Sequence, residues 1–498
     1  MAIDQLQSNP LATVQVGTQG DLGTLLSREL RLSDNASERM VIDSVRLLVD
    51  EAMRDEKVVK NDAVQTIEGV IRLLDEKLGR QLNEILHHPE FQRMEGAWRG
   101  LAYLVNHTEV DETLKVKVMN ISKPDLLKMF AKYPDVAWDQ SPLFKQVYEQ
   151  EYGVLGGSPY GCLVGDYEFD HSQPDIEVLK GMAKIAAAAH APFIAAPKPS
   201  LYRMESWQEL PNVRDLTKIF GEPSYAAWRS LRASDDSRYI GLALPRFLAR
   251  LPYGAQTNPV DSFAFEEDAA GGDHAKYTWA NSAYAMAANI NRAFKDYGWC
   301  TRIRGVESGG IVEDLPSHTF ATDDGGVDMK CPTEIAIADR RELELAKNGL
   351  MPLVHRKNTD VAAFIGAQSL HKPAVYDDPK VTANAELGAR LPYLFATCRF
   401  AHYLKCMVRD KVGGFATAKA MQSFLQDWVL NYVTGDPDGA NDRMKAERPL
   451  AGAEVFVTED QANPGFYNAQ FLLKPLYQLE GMNISLRLVS QLRSEQGK

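Results

Sequence analysis

The sequence lacks long apolar runs and has no excess of basic residues. No stretch approaches the about 18 consecutive apolar residues that a membrane-spanning helix needs, and the N-terminus shows no basic start followed by an apolar run. We therefore expect no direct membrane insertion and a cytoplasmic location. The formal net charge of −12 argues against nucleic acid as a main partner, because phosphate binding needs concentrated Lys and Arg.

Cysteine is scarce. There are five cysteines in 498 residues, an odd number scattered along the chain, which is typical of free thiols in a reducing compartment and not of a disulfide framework. They are Cys162, Cys300, Cys331, Cys398 and Cys406.

Local catalytic motifs are also missing. No Walker loop and no G-x-S-x-G nucleophile turn occur, and the glycine-rich segments 153–157 and 305–310 lack the spacing of phosphate or dinucleotide loops. Paired acidic residues such as Asp235-Asp236 and Asp377-Asp378 fall in predicted loops, where solvated turn residues are the simpler interpretation. We expect no enzymatic activity and no cofactor.

One side-chain set could hold a metal ion. Cys398, His402 and Cys406 are spaced four apart on a predicted helix and could offer three ligands to zinc. The same stripe contains Phe395 and Tyr403, and no fourth ligand is indicated. We interpret the stripe as a buried helix face, since cysteine often behaves as a small hydrophobic residue, and predict no metal site.

The composition is that of a globular protein, with 45% hydrophobic and 24% charged residues, and the length predicts two or three domains. Residues 1–35 are interpreted as an arm, with a short strand at Ala12–Val16 and an amphipathic segment at Leu22–Leu32. Apolar residues three or four apart from Val64 to Ile85 predict a long helix. Pro89 can begin the next helix.

The middle of the chain alternates between strand and helix signals, which predicts an α/β layer. Strands are predicted at Leu114–Ile121, Cys162–Asp166, Pro192–Ala196, Tyr239–Leu244 and Thr301–Gly305, and helices at Asp175–Ala189 and Tyr277–Tyr297.

The C-terminal third combines long helices with terminal strands. Helices are predicted at Asp339–Asn348, Leu391–Val412 and Phe415–Val433, and strands at Glu334–Ile337, Val361–Ile365, Val455–Val457, Tyr467–Leu473 and Ile484–Leu492. Unpaired strand edges are templates for pairing between subunits, so an arm at one end and strands at the other are a hint of assembly.

Several segments resemble the large subunit of the type VI secretion contractile sheath, the TssC/VipB family. These segments span about residues 95–468 and are Glu95–Leu104 (EGAWRGLAYL), Trp279–Tyr284 (WANSAY), Gly298–Gly305 (GWCTRIRG), Asp339–Leu345 (DRRELEL), Leu391–Leu404 (LPYLFATCRFAHYL) and Gly465–Asn468 (GFYN).

The resemblance implies an α/β (mixed α+β) fold in a multi-domain sheath protomer, with an N-terminal helical arm, a central α/β region and a phage-tail-sheath-like C-terminal domain ending in exchanged β-strands. We expect an arm with a linker strand and unfoldase-binding helix at 1–60, the helical part of the inner sheath domain at 61–120, a central α/β domain forming the outer part of the sheath at 121–380, and a C-terminal sheath domain with a strand-exchange hairpin at 381–498.

The resemblance further implies the partners. These are a small sheath subunit of the TssB/VipA type, other copies of the chain in a helical lattice, an inner tube protein of the Hcp type, a baseplate, and a AAA+ unfoldase of the ClpV type that recycles the contracted sheath.

It also implies two sets of site residues. The unfoldase-binding helix would carry Leu22, Leu25, Leu26 and Leu30. The strands exchanged between subunits would be Thr13, Val14, Gln15 and Val16 at the N-terminus, and Phe471, Leu472, Leu473, Ile484, Ser485, Leu486, Arg487 and Leu488 at the C-terminus.

Two other classes of function remain open on the residues alone. One is a cytoplasmic α/β enzyme with an unrecognised site between Cys162 and Gly305, and the other is a soluble adaptor that docks through the leucine segment. Formation of filaments with a small partner protein separates the sheath interpretation from both.

Overall fold

The structure is a computed structural model, and it describes residues 43, 44, 47, 63–134, 136–269, 273–322, 324–411, 417–436, 439–459, 467–476 and 486–492. Contacts divide the chain into two compact units, Met1–Ile85 with Tyr253–Glu267 and Leu86–Pro252 with Asp268–Lys498. The mixed α/β fold class is confirmed, whereas the four predicted domains stay predictions. No helix among the described residues is both long and apolar enough to span a bilayer.

The well-described part of the first unit is a long helix with a loop that folds against it. Helix α1, Ala63–Leu86, matches the strongest periodic signal of the sequence. The loop closes on itself where the backbone N–H of Glu267 donates to the carbonyl of Tyr253 at 2.8 Å. Asn83 Nδ2 donates to the carbonyl of Glu266 at 3.3 Å, which ties the loop to α1.

The second unit contains the remaining helices and all strands of the described chain. The helices are α2 Pro89–Asn106, α3 Lys123–Lys132, α4 Pro142–Phe144, α5 Gln173–Ala189, α6 Leu216–Ile219, α7 Ala226–Ala233, α8 Ser282–Tyr297, α9 Asp339–Lys347, α10 Pro379–Gly388, α11 Leu391–Asp410, α12 Ala418–Leu430 and α13 Asp442–Glu447. The strands are β1 Leu163–Phe169, β2 Phe193–Pro197, β3 Ile240–Leu244, β4 Phe247–Leu248, β5 Trp279–Ala280, β6 Ile311–Val312, β7 Thr319–Ala321, β8 Val327–Met329, β9 Met351–His355, β10 Ala362–Phe364, β11 Leu450–Glu459, β12 Tyr467–Pro475 and β13 Leu486–Leu492.

A six-stranded sheet in the order β1-β2-β3-β9-β10-β6 organises the centre. The first four strands run parallel, and β10 pairs antiparallel with both β9 and β6. Strands β2 and β3 are buried along their whole length, as parallel strands covered by helices on both faces must be.

Side chains alternate between two cores along these strands. In β3, Leu242 and Leu244 enter the core shared with α5 and an aromatic layer around Trp207 and Trp228. Ala243 points the other way, into the core formed with α8 and the first turns of α11. The two-residue period of a strand therefore places one helix layer on each face of the sheet.

A third core lies at the C-terminal end and includes β11 and β12 of the sheet β11-β12-β13. Helix α11 links it to the central core, because Phe395 packs in the central core while Phe400 and Leu404 pack in the third. The ring of Phe400 stacks on Trp299 with centroids 4.2 Å apart.

An ion pair between the half-buried Arg246 and the buried Glu334 joins segments that are distant in sequence. Arg246 makes two hydrogen bonds to Glu334, with Nε to Oε2 at 2.9 Å and Nη2 to Oε1 at 2.6 Å, and His274 Nε2 lies 3.1 Å from Oε1. Burial alone would raise the pKa of Glu334, but the hydrogen bonds and charges of Arg246 and His274 outweigh it and lower the pKa to about 2.

Three predicted strands are wrong. Leu114–Ile121 has no strand partner among the described residues, and Val118 within it is 68% exposed. The alternation of apolar and polar residues in this segment therefore does not reflect burial of one face in a sheet. Thr301–Gly305 forms no strand, because it begins in a turn and ends in a bend at Gly305, where φ is +74°. Glu334–Ile337 leads into α9 without a ladder because Glu334 faces Arg246.

Candidate assembly surfaces

The inner face of the C-terminal sheet is a packed core surface. Phe471 and Leu473 of β12 are 3% and 1% exposed and pack with Leu425 and Val429 of α12. Leu472 points to the opposite face and is half-buried. Burial thus alternates with the two-residue period of a strand, and Phe471 and Leu473 share the inner face.

Helix α12 covers the outer edge of β11. The carboxamide of Gln426 donates from Nε2 to the carbonyl of Ala453 at 2.9 Å, and its Oε1 accepts the backbone N–H of Val455 at 2.8 Å. Gln422 Oε1 accepts the N–H of Val457 at 3.4 Å. Two glutamines thus satisfy backbone groups that would otherwise be available for pairing with another strand.

Strand β13 occupies the other edge of this sheet. It pairs antiparallel with β12, with Leu488 opposite Phe471 and Leu486 opposite Leu473. Within the described residues, no strand pairs with the far side of β13. Of the predicted exchange residues, Leu486, Arg487 and Leu488 lie in β13, and Ile484 and Ser485 lie outside the described residues.

The N-terminal site residues lie outside the part of the chain that the structure describes. This applies to the predicted strand Thr13, Val14, Gln15 and Val16 and to the predicted unfoldase helix with Leu22, Leu25, Leu26 and Leu30. Their roles stay predictions.

Helix α2 contacts its neighbours through two glycines of the EGAWRG segment. A Cβ at Gly96 would lie 2.3 Å from the carbonyl oxygen of Trp279, and one at Gly100 would lie 2.4 Å from the ring of Tyr284. Only glycine allows the helix to approach β5 and α8 this closely. His88 caps the helix by accepting the backbone N–H of Glu90 at 3.3 Å.

A buried ion pair fixes the same helix. Arg250 Nε donates to Glu95 Oε1 at 2.6 Å, and the side chains are only 5% and 11% exposed. Thr278 Oγ1 donates to Glu95 Oε2 at 3.0 Å, and Arg99 Nε donates to Oε1 at 2.7 Å. Burial opposes ionisation of Glu95, but the hydrogen bonds and charges of the two arginines outweigh it and lower its pKa.

The opposite face of α2 presents apolar side chains to solvent. Trp98 is 69% exposed, Met94 is 52% exposed and Val105 is 44% exposed. Large apolar residues clustered on one exposed helix face are typical of protein–protein contact sites. In the sequence, the position of Trp98 between two glycines that face inward is the signal that its side chain points outward.

The possible zinc ligands on α11 are engaged in other contacts. His402 is buried, with Nε2 2.8 Å from the carbonyl of Ala189 and Nδ1 3.2 Å from Arg399 Nη1. Arg409 Nη2 donates to Cys406 Sγ at 3.5 Å. Among the described residues, no group of three His, Cys, Asp or Glu side chains is arranged to hold a metal ion.

Comparison with known proteins gives two family matches that together span most of the chain. Residues 68–371 match the VipB tail sheath N-terminal domain (EvpB/VC_A0108), and residues 380–492 match the tail sheath gpW/gp25-like domain of the same family. The chain belongs to the VipB family of tail sheath proteins. The confirmed resemblance includes the phage-tail-sheath-like character of the C-terminal part, which holds α10–α13 and the sheet β11-β12-β13.

One known protein is closely similar to this chain over nearly the whole length. It is the type VI secretion system sheath protein TssC1 of Pseudomonas aeruginosa, 63% identical over 492 residues, covering 98% of this chain and 99% of the relative. This chain is accordingly a type VI secretion sheath protein of the VipB family.

Two solved structures of related assemblies are more distant. The sheath tail protein of Desulfitobacterium hafniense is 11% identical, with 64% of this chain and 60% of that chain covered and a TM-score of 0.28. A chain of the anti-feeding prophage baseplate is 12% identical, with 77% and 80% covered and a TM-score of 0.30. Both scores are too low to support a conclusion.

Proposed function

We propose that this VipB-family chain is the large subunit of the contractile sheath, which polymerises with a small subunit of the TssB/VipA type into a helical tube around an inner tube of the Hcp type. The observation that carries this proposal is the 63% identity to a sheath protein across 98% of the chain. Contraction of this outer sheath propels the inner tube and its effectors out of the cell.

In this mechanism a conformational change of the sheath drives the motion, and no catalysed reaction is needed. The sheath assembles extended on a baseplate in the cytoplasm, and contraction lowers the free energy by creating more contact between subunits. Rigid protomers are needed to transmit such a motion. The central sheet, covered by α5 on one face and α8 on the other, provides a rigid body of this kind.

Strands at the chain ends would link neighbouring subunits. In this proposal the N-terminal strand Thr13–Val16 and the C-terminal segments Phe471–Leu473 and Ile484–Leu488 take part in exchange between protomers. The covered edge of β11 supports the assignment, because Gln426 and Gln422 leave only the β13 side of the described sheet for an additional strand. Main-chain hydrogen bonds to an added strand would hold subunits together during sliding.

Recycling would use the leucine segment of the N-terminal arm. Leu22, Leu25, Leu26 and Leu30 would be gripped by a AAA+ unfoldase of the ClpV type after contraction. Substitution of both Leu25 and Leu26 by Asp should spare assembly and abolish unfoldase binding. Loss of assembly in that variant would contradict the assignment, as would equal unfoldase binding to extended and contracted sheaths by the unmodified chain.

Negative-stain electron microscopy tests the main proposal. The full chain is expressed with and without the small-subunit protein encoded beside it. Long hollow helical tubes that appear only with the partner are expected. A monomer or small oligomer in both samples would contradict the sheath function and favour the enzyme interpretation.

Deletion of the residues after Gly481 tests the strand-exchange role separately. The deletion removes β13 but leaves the central cores and α12 intact. We expect a soluble chain that forms no sheath with its partner. Normal sheaths from the deleted chain would contradict strand exchange while leaving the sheath function itself in place.

A further inference from the structure

Helix α1 carries a seven-residue repeat of apolar side chains. Ile71, Leu78 and Ile85 are seven positions apart, and Leu74 lies between the first two at the three-and-four spacing of a coiled-coil seam. Gln81 is the polar exception at the next position of this seam. The four apolar residues form one continuous stripe along the helix, the heptad stripe of α1.

The heptad stripe is open to solvent. Ile71 is 45% exposed, Leu78 is 51% exposed and Ile85 is 47% exposed. Among the residues of α1 whose side chains are described, none is buried. Packing of an apolar face supplies most of the stability of a helix in a protein, because intrinsic propensity alone is marginal. The described part of the chain therefore leaves the stabilising face of α1 without its cover.

The loop of the first unit packs beside the heptad stripe and not over it. The ring of Phe265 lies 3.7 Å from the position that a Cβ would take at Gly79, and Asn83 donates to the carbonyl of Glu266. With 3.6 residues per turn, Gly79 and Asn83 lie about 100° and 140° around the helix from Leu78. The loop thus covers a neighbouring flank of α1 and leaves the stripe accessible.

Acidic side chains border the heptad stripe. Glu68 and Asp75 lie on one border, and Glu84 and Lys77 lie on the other. Glu68 also contacts Arg72 at 3.6 Å, but both side chains are more than half exposed, and surface pairs of this kind are weak. In coiled coils the bordering charges select the partner. A second copy of α1 would bring the same acidic excess, whereas a helix bordered by Lys and Arg would complement it.

We propose that the heptad stripe of α1 is the docking surface for one helix of the small sheath subunit, and that the two helices pack as a coiled coil. The partner helix has an apolar heptad seam bordered by Lys and Arg. Leu78, at the middle of the stripe, inserts between side chains of the partner, and Glu68 and Asp75 pair with its basic residues. This inference rests on the proposed function, since it takes the small subunit as the partner.

A peptide titration tests the surface without any sheath. The probe is a fluorescent three-heptad peptide with Ile and Leu in its seam and Lys at every bordering position, and the comparison peptide has Glu in place of Lys. Fluorescence anisotropy with the full chain measures binding. We expect the Lys peptide to bind roughly tenfold more tightly than the Glu peptide at low ionic strength, and added salt to reduce the difference.

Charge reversal on α1 provides a matched comparison. The double substitution Glu68→Lys and Asp75→Lys should reverse the order of the two peptide affinities. Glu76→Lys makes the same change about 160° around the helix from Leu78 and should leave the order unchanged. Equal affinities of the two peptides for the unmodified chain, or an unchanged order in the double variant, would overturn the proposal.

The small-subunit protein then tests the partner. Leu78→Asp places a charge in the stripe and should abolish both co-purification of the small subunit and tube formation. Leu155→Asp, the same change at a residue that is 70% exposed and lies outside α1, should leave both intact. The unfolding temperatures of the two variants establish that both are folded, and the double variant decides with the small subunit if Leu78→Asp does not fold.

Each remaining outcome has a distinct meaning. Normal co-purification and normal tubes from a folded Leu78→Asp chain would overturn the docking surface and leave the sheath function in place. A dimer of the unmodified chain that Leu78→Asp dissociates would overturn the choice of partner in favour of a second copy. Failure of the unmodified chain to form tubes with the small subunit would contradict the proposed function, and with it the assignment of the partner.

Discussion

The carboxamide oxygen of Gln426 accepts the backbone N–H of Val455 at 2.8 Å, so a helix side chain stands where a neighbouring strand would otherwise pair. The same carboxamide donates to the carbonyl of Ala453. One side chain thereby satisfies both a donor and an acceptor on the edge of β11. This contact gives the C-terminal sheet one closed edge, and the location of the closed edge determines where an added strand could bind.

Replacement of Gln426 by leucine should expose this edge. The N–H of Val455 and the carbonyl of Ala453 lose their partners, so we expect the free energy of unfolding to fall by about 1–3 kcal/mol. The variant should also aggregate more readily, since an open edge pairs with other chains. Denaturant unfolding and light scattering measure the two effects.

The exposed Gln208 provides the matched control for that substitution. Gln208→Leu makes the same chemical change away from any strand edge and should alter stability by less than about 0.5 kcal/mol. Equal behaviour of the two variants would show that the Gln426 hydrogen bonds do not protect the β11 edge.

The packing of α2 predicts a severe effect at Gly96. In Gly96→Ala the new Cβ would lie 2.3 Å from the carbonyl oxygen of Trp279, so the helix must shift away from β5. We expect a loss of about 1–3 kcal/mol from this overpacking. The same substitution at Gly388, where no atom lies within 4 Å of the added Cβ, should be neutral or mildly stabilising in denaturant unfolding. Equal effects at both positions would contradict the described helix contact.

Much of the secondary structure follows from local sequence, but the contacts between elements do not. The helix at Pro89 and the buried strands near Phe193 and Ile240 are predictable because periodicity and proline position are local properties. The order of the central sheet is not, since β9 pairs with β3 more than 100 positions earlier. Leu114–Ile121 shows the converse error, an alternating pattern without a strand partner.

The candidate surfaces were partly predictable. The shared face of Phe471 and Leu473 follows from the two-residue period of a strand. The glutamine cover on β11 could not be found, because it depends on residues brought together by tertiary packing. The exposure of Trp98 also required the neighbouring glycines to be placed against Trp279 and Tyr284.

The ion pair between Arg246 and Glu334 predicts a defined dependence of stability on pH. The folded-state pKa of Glu334, about 2, lies below its usual value near 4.5. A carboxylate with a lowered pKa stabilises the fold above the unfolded-state pKa, and that contribution is lost as the pH falls through the folded-state pKa. Its contribution should therefore be complete above pH 4.5 and disappear progressively between pH 4.5 and 2.

The variant Glu334→Gln tests this dependence. It should lower the free energy of unfolding by about 3 kcal/mol at pH 7, because Arg246 loses the carboxylate to which it makes two hydrogen bonds. Its stability should then decline less than that of the unmodified chain between pH 4.5 and 2. The exposed Glu109, changed to Gln, serves as the control. Parallel pH curves for Glu334→Gln and the unmodified chain would contradict the proposed ionisation of Glu334.

Trp98 offers a test that separates assembly from folding. Its side chain is 69% exposed, so truncation creates no cavity, and Trp98→Ala should change the free energy of unfolding by less than about 0.5 kcal/mol. If the exposed face of α2 is a contact between subunits, the loss of a large aromatic anchor should reduce the yield of tubes strongly. Electron microscopy and pelleting with the small subunit measure that yield.

A matched control for Trp98 is Val375, another apolar residue that is 82% exposed and lies outside α2. Val375→Ala should leave both stability and tube yield unchanged. A normal tube yield from Trp98→Ala would mean that this helix face stays solvated in the assembled sheath. A loss of stability in the isolated Trp98→Ala chain would instead assign the indole to intramolecular packing, which its exposure argues against.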